Sequence, residues 1–522
     1  MRAQPPNGCV VQHSLSHHLD GVRLLFVSVV LYGGAMIWLA PHPPMVDLPQ
    51  HAGQVAALRD LVTGDSPWRQ VLRINLFTPY LIGYGLALLL SFVMPIATAL
   101  KLLLTLGYYG FIGACLLLRR HFKGDERLDW LFVPAYFGFA YEWGFFTFLI
   151  AAPLGLLFLV LADRYAERPT LKAGAELLTA GVVLFFSHGL IFVFANLIGT
   201  TFLVLRAGRL QRRLPAITPY ALLGMLCLIY VLNTREVESA MVYPSAGILW
   251  GWDWSRLAMF LLTPWTSWPQ QAYVAIVDSL LLLAAPWLLG LRPNWRNPSA
   301  CMPMLAVLAV WLLVPQFAMK TAFLYQRFGL FIFPCYALMF HQPQRSARPV
   351  QLSRHRSMLC QAVLVFICIT FFGIHTKRLI NFAAESTEFD SLLAASKPAQ
   401  RAMMLIFDGG SIAASHPGAY VHYAAWYQAE KKGLVDFNFA WYLPQIVRYR
   451  PDQLPALPPL NLSSAERFPQ SFDWEQHRAY EYRYFFVRGT PVPSALLNNE
   501  RCDVVLLKST ASWALYENRG CR

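Results

Sequence analysis

An acidic residue and a histidine, Asp47 and His51, stand four positions apart just after the first long apolar run of the chain. The stretch Asp47-Leu48-Pro49-Gln50-His51 leads into residues 52–62, which have the composition of a helix. Residues four apart share one helix face, and a helix N-terminus favours a carboxylate. Such a pair could hold a divalent metal or act as a general base. The alternative is that Asp47 only caps the helix and His51 is a solvated loop residue.

Three further ionisable residues, Glu142, His188 and Arg327, interrupt apolar segments. An unpaired charge at membrane depth costs roughly 2.5–3.5 kcal/mol, so such residues are candidates for substrate binding. Each also has a structural interpretation. Glu142 can cap a turn at a membrane surface, His188 can bond to a neighbouring helix, and Arg327 can extend to the interface.

The composition predicts that a membrane domain positions these residues. Of the 522 residues, 56% are hydrophobic and only 14% are charged, whereas soluble domains carry about 25% charged residues. The mean hydropathy is +0.41. The formal charge is +14, but Lys and Arg occur in short runs between apolar segments, at 119–120, 206–213, 292–296 and 345–356. This pattern is typical of cytoplasmic loops and argues against a nucleic-acid partner.

Ten runs are long and apolar enough to cross a bilayer as a helix, which takes about 20 residues. They are 22–40, 77–94, 96–118, 145–162, 190–205, 217–232, 273–291, 301–318, 322–340 and 357–375. Three weaker runs, 128–143, 175–187 and 256–266, bring the expected total to eleven to thirteen. The first span is too long for a signal-peptide core, so we expect it to stay uncleaved after a cytoplasmic segment, 1–21.

The basic runs also predict sidedness. With a cytoplasmic N-terminus the loop 41–76 lies outside, and the span 357–375 places the C-terminal tail outside as well. Counting every candidate between 77 and 205 as a full span reverses the later loops. One of the weak segments, 128–143 or 175–187, is therefore expected to be re-entrant, interfacial or merged with its neighbour.

From residue 376 onward polar residues are frequent and no run can span a membrane. We predict a soluble extracytoplasmic domain, 376–522, of α/β or α+β class, after a membrane domain covering 22–375. Its predicted elements are strands at 402–407, 480–487, 503–507 and 513–516 and a helix over 420–432. Cys502 and Cys521 both lie in this domain and could form a disulfide if it is outside the cytoplasm.

The first loop resembles that of the GT-C class of integral membrane glycosyltransferases, whose hallmark is an acidic residue just past the first span. The stretch from Asp47 to His51 is similar to the Asp-x-Pro-x-His opening of many bacterial members. Three other short motifs are also similar to stretches in such proteins, and the resemblance covers 22–375. They are Trp143-Gly144-Phe145-Phe146, Ser187-His188-Gly189 and Tyr325-Gln326-Arg327-Phe328.

The resemblance implies an inverting enzyme of the bacterial inner membrane. It would move a sugar from a polyprenyl-phosphate-linked donor to an envelope glycan, lipid or protein on the outer face. Asp47 would deprotonate the acceptor or bind a divalent metal, Mg²⁺ or Mn²⁺, and His51 would assist it. Arg327 and Lys320 would face the phosphate, since an Arg binds phosphate oxygens bidentately.

The sequence departs from the family pattern in two respects, and two other functions stay open. Many members carry a second acidic residue in the next outer loop, but the side of Asp125, Glu126 and Asp129 is not fixed here. No Asp-x-Asp pair is present, which puts metal dependence in doubt. The other functions are a transporter or flippase of a lipid-linked glycan and a catalytically silent assembly protein. Transporters commonly show two similar halves, which this sequence does not.

Overall fold

A computed structural model describes residues 8–206, 215–240, 247–266, 272–318, 321–342, 354–455, 465–489 and 497–522. It divides the chain into a helical part that ends at Ala395 and a mixed-sheet part that begins at Arg401. The first loop of the helical part contains a helix and a short strand of its own, and these carry the candidate residues Asp47 and His51.

The helical part begins with α1 (Gly8–Met36), α2 (Leu48–Thr63) and strand β1 (Leu72–Ile74). The described helices that follow are α3 (Leu81–Ser91), α4 (Ile96–Phe122), α5 (Phe139–Trp143), α6 (Phe146–Glu167), α7 (Leu171–Ser187), α8 (Gly189–Arg206), α9 (Thr218–Ala240), α10 (Ser255–Leu262), α11 (Ala272–Leu288), α12 (Pro298–Leu313), α13 (Gly329–Leu338) and α14 (Arg354–Ala395). Short strands β2 (Arg292–Pro293) and β5 (Phe340–His341) pair with each other, as do β3 (Phe317–Ala318) and β4 (Thr321–Ala322).

Four helices in the described ranges are long and apolar enough to cross a membrane, namely α4, α6, α8 and most of α14. Shorter apolar helices lie at Gly21–Met36, Leu81–Ser91, Thr218–Thr234, Ala272–Leu288 and Pro298–Leu313. Large apolar side chains on the long helices, such as Leu106, Leu197 and Phe366, are exposed, as contact with lipid requires. The chain is thus a membrane protein with several apolar helices, and the total of eleven to thirteen spans stays a prediction.

Several predicted spans have a different form in the structure. Segment 128–143 consists of 3-10 turns at Glu126–Phe132 and Ala135–Phe137 followed by the five-residue α5. Segment 175–187, in contrast, is part of the continuous helix α7. Of the two weak segments, 128–143 is therefore the one that is not a continuous helix. The predicted spans 256–266 and 322–340 contain only the short helices α10 and α13.

Helix α14 extends well past the predicted end of the last span. It has 42 residues, which corresponds to about 63 Å, or twice the thickness of the apolar core of a bilayer. The domain boundary expected at 376 therefore falls inside a helix. The polar end of α14 contacts the sheet part directly, since Ser411 Oγ donates to Glu385 (2.9 Å) and Thr510 Oγ1 donates to Glu388 (2.9 Å).

The C-terminal domain is built on a five-stranded mixed sheet in the order β10-β11-β9-β6-β7. Its elements are β6 (Arg401–Ile406), α15 (Trp426–Lys431), β7 (Leu434–Val435), β8 (Val447–Tyr449), β9 (Tyr484–Arg488), β10 (Cys502–Ser509) and β11 (Trp513–Cys521). Strand β6 is parallel to both of its neighbours, and the other pairings in this sheet are antiparallel. The four predicted strands are confirmed with shifted ends. Cys502 and Cys521 form a disulfide between paired strands.

The helix predicted over 420–432 is shorter than expected. Its first half is a 3-10 turn, Tyr423–Ala425, and only Trp426–Lys431 is α-helical. Lys432, the C-cap of this helix, adopts the left-handed conformation with φ 54°.

The first loop and the C-terminal domain lie against each other. Strand β1 pairs antiparallel with β8, which joins Leu72 to Tyr449. On α2, Gln50 donates to Phe437 O (3.0 Å), and Gln54 accepts from the Val447 N–H (3.0 Å). Since α2 also packs on α3 and α4, it lies between the helical part and the domain. The loop and the domain are therefore on the same side of the molecule.

Candidate functional site

The backbone of Asp47 is fixed by the turn that follows α5. The Asp47 N–H donates to Trp143 O (2.9 Å), and the Val46 N–H donates to Glu142 O (3.1 Å). Gly144 makes this approach possible, because its φ is +85° and an added Cβ would lie only 2.9 Å from Asp47 N. Asp47 occupies the N-cap of α2, but its side chain makes no capping hydrogen bond. The capping interpretation therefore does not account for the carboxylate.

The Asp47 carboxylate is mostly buried, and Arg327 and Arg467 are within electrostatic reach of it. Its side chain is 14% exposed, and His422 Nε2 lies 3.7 Å from its Oδ1. Burial raises the pKa of Asp47 to about 6, although His422, Arg327 and Arg467 act in the opposite direction. A carboxylate of this pKa is ionised at neutral pH and accepts a proton more readily than a solvated Asp does, as a general base must.

The C-terminal domain places a second carboxylate behind His422. His422 Nδ1 lies 2.8 Å from Glu466 Oε1, and the Glu466 side chain is fully buried. Burial raises the pKa of Glu466 well above its ordinary value. Burial also lowers the pKa of His422 to about 4, against the opposing effect of Asp47. The imidazole stacks on Phe437, with ring centroids 5.0 Å apart, and is neutral at pH 7.

His51 connects α2 to α3 and to the domain. Its Nδ1 lies 2.6 Å from Tyr84 Oη, and Tyr84 in turn donates to Gln445 Oε1 (2.7 Å). The ring is packed against Phe146 and Phe439 and is 4% exposed. Burial, together with the charge of Arg327, lowers the pKa of His51 to about 3. His51 is thus a buried neutral side chain, and the interpretation as a solvated loop residue is wrong.

Arg327 lies in the 3-10 turn Gln326–Phe328 and its side chain is directed into the protein. The guanidinium carbon lies 3.7 Å from the centroid of the Phe145 ring, and Nη2 donates to Ala322 O (3.0 Å). Its Nε is buried and has no hydrogen-bond partner among the described residues. An unsatisfied buried donor costs about 1–3 kcal/mol. This geometry favours an anion site over extension of the side chain to the interface.

The other predicted residues have different surroundings. His188 sits at the break between α7 and α8, is 1% exposed, and its ring lies 5.2 Å from those of Tyr80 and Phe148. Arg327 and His51 are within electrostatic reach of it. The carboxylate of Glu142 accepts a hydrogen bond from Thr266 (3.0 Å), and its backbone carbonyl accepts the Val46 N–H beside Asp47. Lys320 lies outside the described residues.

The structure thus brings together Asp47, His51, His188 and Arg327, which lie up to 280 positions apart in the sequence. Four further members come from the C-terminal domain and were not predicted from the sequence. They are His422, Gln445, Glu466 and Arg467. Periodicity and spacing could not find them, because they are more than 370 residues away from Asp47 and no local motif marks them.

The remaining predictions concern a metal ion at Asp47 and a second acidic residue at Asp125, Glu126 or Asp129. Within the described ranges, no group of three or more His, Cys, Asp or Glu side chains is arranged to hold a metal ion. The prediction of Mg²⁺ or Mn²⁺ at Asp47 stays a prediction. Asp125 and Asp129 each form a bidentate pair with an arginine, Arg127 and Arg119 respectively.

No protein-family model matches the sequence, and no curated protein matches it. Among solved structures, the chain is similar to the arabinofuranosyltransferase AftD from Mycobacteria, determined by single-particle cryo-EM, with a TM-score of 0.49 and 13% sequence identity. The match covers 96% of this chain and 42% of that one, so the chain spans less than half the length of its neighbour. Arabinofuranosyl transfer is the activity of that protein. The activity of this chain has to be inferred from its own residues.

Proposed function

We propose that the chain is a membrane glycosyltransferase that moves a sugar from a polyprenyl-phosphate-linked donor to an envelope acceptor. The observation that carries the proposal is that two groups with unused hydrogen-bonding capacity lie within electrostatic reach of each other. The Asp47 carboxylate makes no capping bond, and the Arg327 Nε has no partner in the described part of the chain. A base and an anion-binding cation in one place are the two groups that such a transfer needs.

The reaction is a single displacement. The acceptor hydroxyl oxygen attacks the anomeric carbon as the bond from that carbon to the phosphate oxygen breaks. The hydroxyl proton passes to Asp47, and the electron pair of the broken bond leaves with polyprenyl phosphate. Arg327 stabilises the negative charge that develops on the phosphate. Attack from the side opposite the leaving group inverts the anomeric configuration.

Two features support the lipid-linked donor and the outer face. The site lies where apolar helices meet a polar domain, so a polyprenyl chain can stay in the bilayer while its sugar reaches Asp47. The disulfide Cys502–Cys521 belongs to the same side as the site and suits an oxidising compartment outside the cytoplasm. The basic runs, which we expect in the cytoplasm, agree with that orientation.

The charges around Asp47 bear on the predicted metal. Arg327 and Arg467 both lie within electrostatic reach of the carboxylate. Two cationic groups beside one carboxylate disfavour a divalent cation at the same place. We therefore assign no step to Mg²⁺ or Mn²⁺.

The test is a strain that lacks this chain, complemented with wild type, Asp47→Asn or Asp60→Asn. Polyprenyl-phosphate-linked sugars are quantified by mass spectrometry, together with the envelope glycans and the amount of protein. We expect Asp47→Asn to accumulate the donor and lose the glycan at a normal protein level. Asp60 is the matched control, since it lies on the same helix α2, is buried and pairs with Lys432 (3.6 Å). A donor pool in Asp47→Asn equal to that of wild type would show that the proposal is wrong.

A further inference from the structure

The His422–Glu466 pair links the C-terminal domain to the residue that the proposed reaction depends on. His422 Nε2 faces Asp47 Oδ1 at 3.7 Å, and its Nδ1 is held by Glu466 at 2.8 Å. Among the described residues of the domain, only His422 lies within ion-pair distance of the Asp47 carboxylate. The charged or titratable groups that face this pair from other elements are Arg327, Arg467 and Asp436.

The burial of Glu466 decides which nitrogen of His422 carries the proton. The Glu466 side chain is fully buried, and its Oε2 has no hydrogen-bond partner among the described residues. A buried carboxyl without a cation bonded to it is favoured in its neutral form. A neutral Glu466 donates its proton to Nδ1 of a neutral imidazole, which leaves the hydrogen on Nε2. The N–H of His422 then points at the Asp47 carboxylate.

We propose that His422, backed by Glu466, is a positioning residue for Asp47, so that the C-terminal domain completes the active site. This inference rests on the proposed function of Asp47. The present separation of 3.7 Å is longer than a hydrogen bond, which has a donor–acceptor distance of 2.7–3.2 Å. Contacts of this kind commonly shorten only when substrate binds. In the bound state the Nε2–H orients one carboxylate oxygen and leaves the other for the acceptor hydroxyl.

Two conservative variants of His422 separate positioning from packing. The amide nitrogen of Gln reaches the place of Nε2 and can donate to Asp47, whereas that of Asn reaches only the place of Nδ1, beside Glu466. In the complementation assay we expect His422→Asn to raise the donor pool at least about tenfold over wild type, the size of a lost positioning group. We expect His422→Gln to stay within about threefold of wild type, because it keeps the donor.

A second pair of variants tests the role of Glu466. The amide of Glu466→Gln can still donate to Nδ1, whereas the similarly sized Glu466→Met cannot. We expect normal donor pools in Glu466→Gln and accumulation in Glu466→Met. The matched control is His42→Gln, because His42 also joins the first loop to the domain through a glutamate, with Nε2 2.7 Å from Glu430 Oε1. Its donor pool should equal that of wild type.

Thermal unfolding of each purified variant in detergent accompanies the assay. Equal donor pools in wild type and His422→Asn would overturn the inference. Equal accumulation in His422→Asn and His422→Gln, with a lowered unfolding temperature in both, would assign His422 a structural role and overturn it as well. Normal pools in Glu466→Met would remove Glu466 from the arrangement. Asp47→Asn is measured in parallel, which separates a failure of the His422 inference from a failure of the proposed function. The proposed function fails only if Asp47→Asn behaves like wild type.

Discussion

Two clusters built from the same three residue types lie at opposite ends of helix α6. At its beginning, Phe146 packs against His51 in the site that holds Asp47. Near its end, Asp163 forms a cluster with His121 and Arg206. Phe146 and Asp163 lie 17 positions apart on this helix, so the clusters are about 25 Å apart along its axis. Each combines an aspartate, a histidine and an arginine, but they differ in how completely the charges are paired.

In the cluster at the end of α6, every strong bond of the aspartate is used. Arg206 donates to Asp163 through Nε (2.6 Å) and Nη2 (2.9 Å), and His121 Nε2 lies 2.7 Å from the same carboxylate. Asp163 is fully buried. Arg206 also reaches Glu167 at 2.8 Å. Such a network joins α4, α6 and α8 to one another.

In the cluster at the beginning of α6, several polar atoms have unused hydrogen-bonding capacity. His422 is 3.7 Å from Asp47, and both Arg327 Nε and Glu466 Oε2 have no partner in the described part of the chain. Buried polar groups in native proteins are nearly all paired, so unpaired ones require an explanation. The contrast teaches that residue type and burial do not identify a site. The unused bonding capacity beside Asp47 supports the proposal that this end of α6 carries the chemistry and that the other end is structural.

The largest expected difference is between Asp47→Asn and Asp163→Asn. Loss of the general base should lower transfer by about 10²–10⁴-fold in Asp47→Asn with no loss of stability. Asp163→Asn weakens the charge-assisted hydrogen bonds to Arg206 and His121 but leaves Arg206 paired with Glu167, which should cost about 1–3 kcal/mol in the free energy of unfolding. Transfer per folded molecule, measured in membranes, should stay normal in that variant. The comparison breaks if Asp163→Asn lowers transfer per folded molecule and Asp47→Asn does not.

A smaller effect is expected when each arginine becomes lysine. Arg327→Lys loses the planar donor set that suits a phosphate, and a lost charge-assisted hydrogen bond of about 1.5–3 kcal/mol corresponds to roughly 10–100-fold in transfer. Arg206→Lys should instead lower the unfolding temperature in detergent, because it cannot bond both Asp163 oxygens at once. Reversed outcomes, with Arg206→Lys inactive but stable, would contradict the assignment of the two ends.

The sequence predicts much of this architecture because the signals for it are local. Apolar runs mark the long helices, and short runs of aromatic and aliphatic residues mark strands such as β9 and β11. The failures lie where tertiary contacts override local composition. Segment 128–143 is apolar enough for a weak span, yet it folds into turns packed between helices. Helix α14 continues to Ala395 because its polar end bonds to the sheet through Glu385 and Glu388.

The candidate site divides in the same way. Asp47 and His51 could be singled out from spacing and position, and Arg327 from its charge in an apolar region. His422 and Glu466 could not, because each lies in an ordinary polar stretch and is paired only by the fold. Likewise Asp129 and Asp163 look as suitable as Asp47 by residue type. Only the distances to Arg119 and Arg206 show that their bonds are already used.

Gly144→Ala should give a moderate effect on the site alone. An added Cβ would lie 2.9 Å from Asp47 N, where the backbone of α2 has to shift. A displacement of the base by a fraction of an ångström should lower transfer by about tenfold. The matched control is Gly64→Ala at the other end of α2, where φ is +81° and an added Cβ meets nothing within 4 Å. Both variants share the strain of a left-handed alanine. Equal transfer in the two would therefore show that Gly144 is not needed to position Asp47.

The smallest effect concerns pH, and it tests whether the Asp47 carboxylate is desolvated. Burial raises the pKa of Asp47 from 3.8 to about 6, so transfer should fall up to about tenfold per unit below pH 6.

The folded state binds this proton more tightly than the unfolded state does. The stability that Asp47 contributes is therefore present below pH 3.8 and is lost as pH rises through 6. Relative to Asp47→Asn, wild type should lose roughly 1–3 kcal/mol across that interval. Unfolding temperatures of both proteins between pH 4 and 7 measure this difference, and a constant difference would show that Asp47 is not held in a desolvated site.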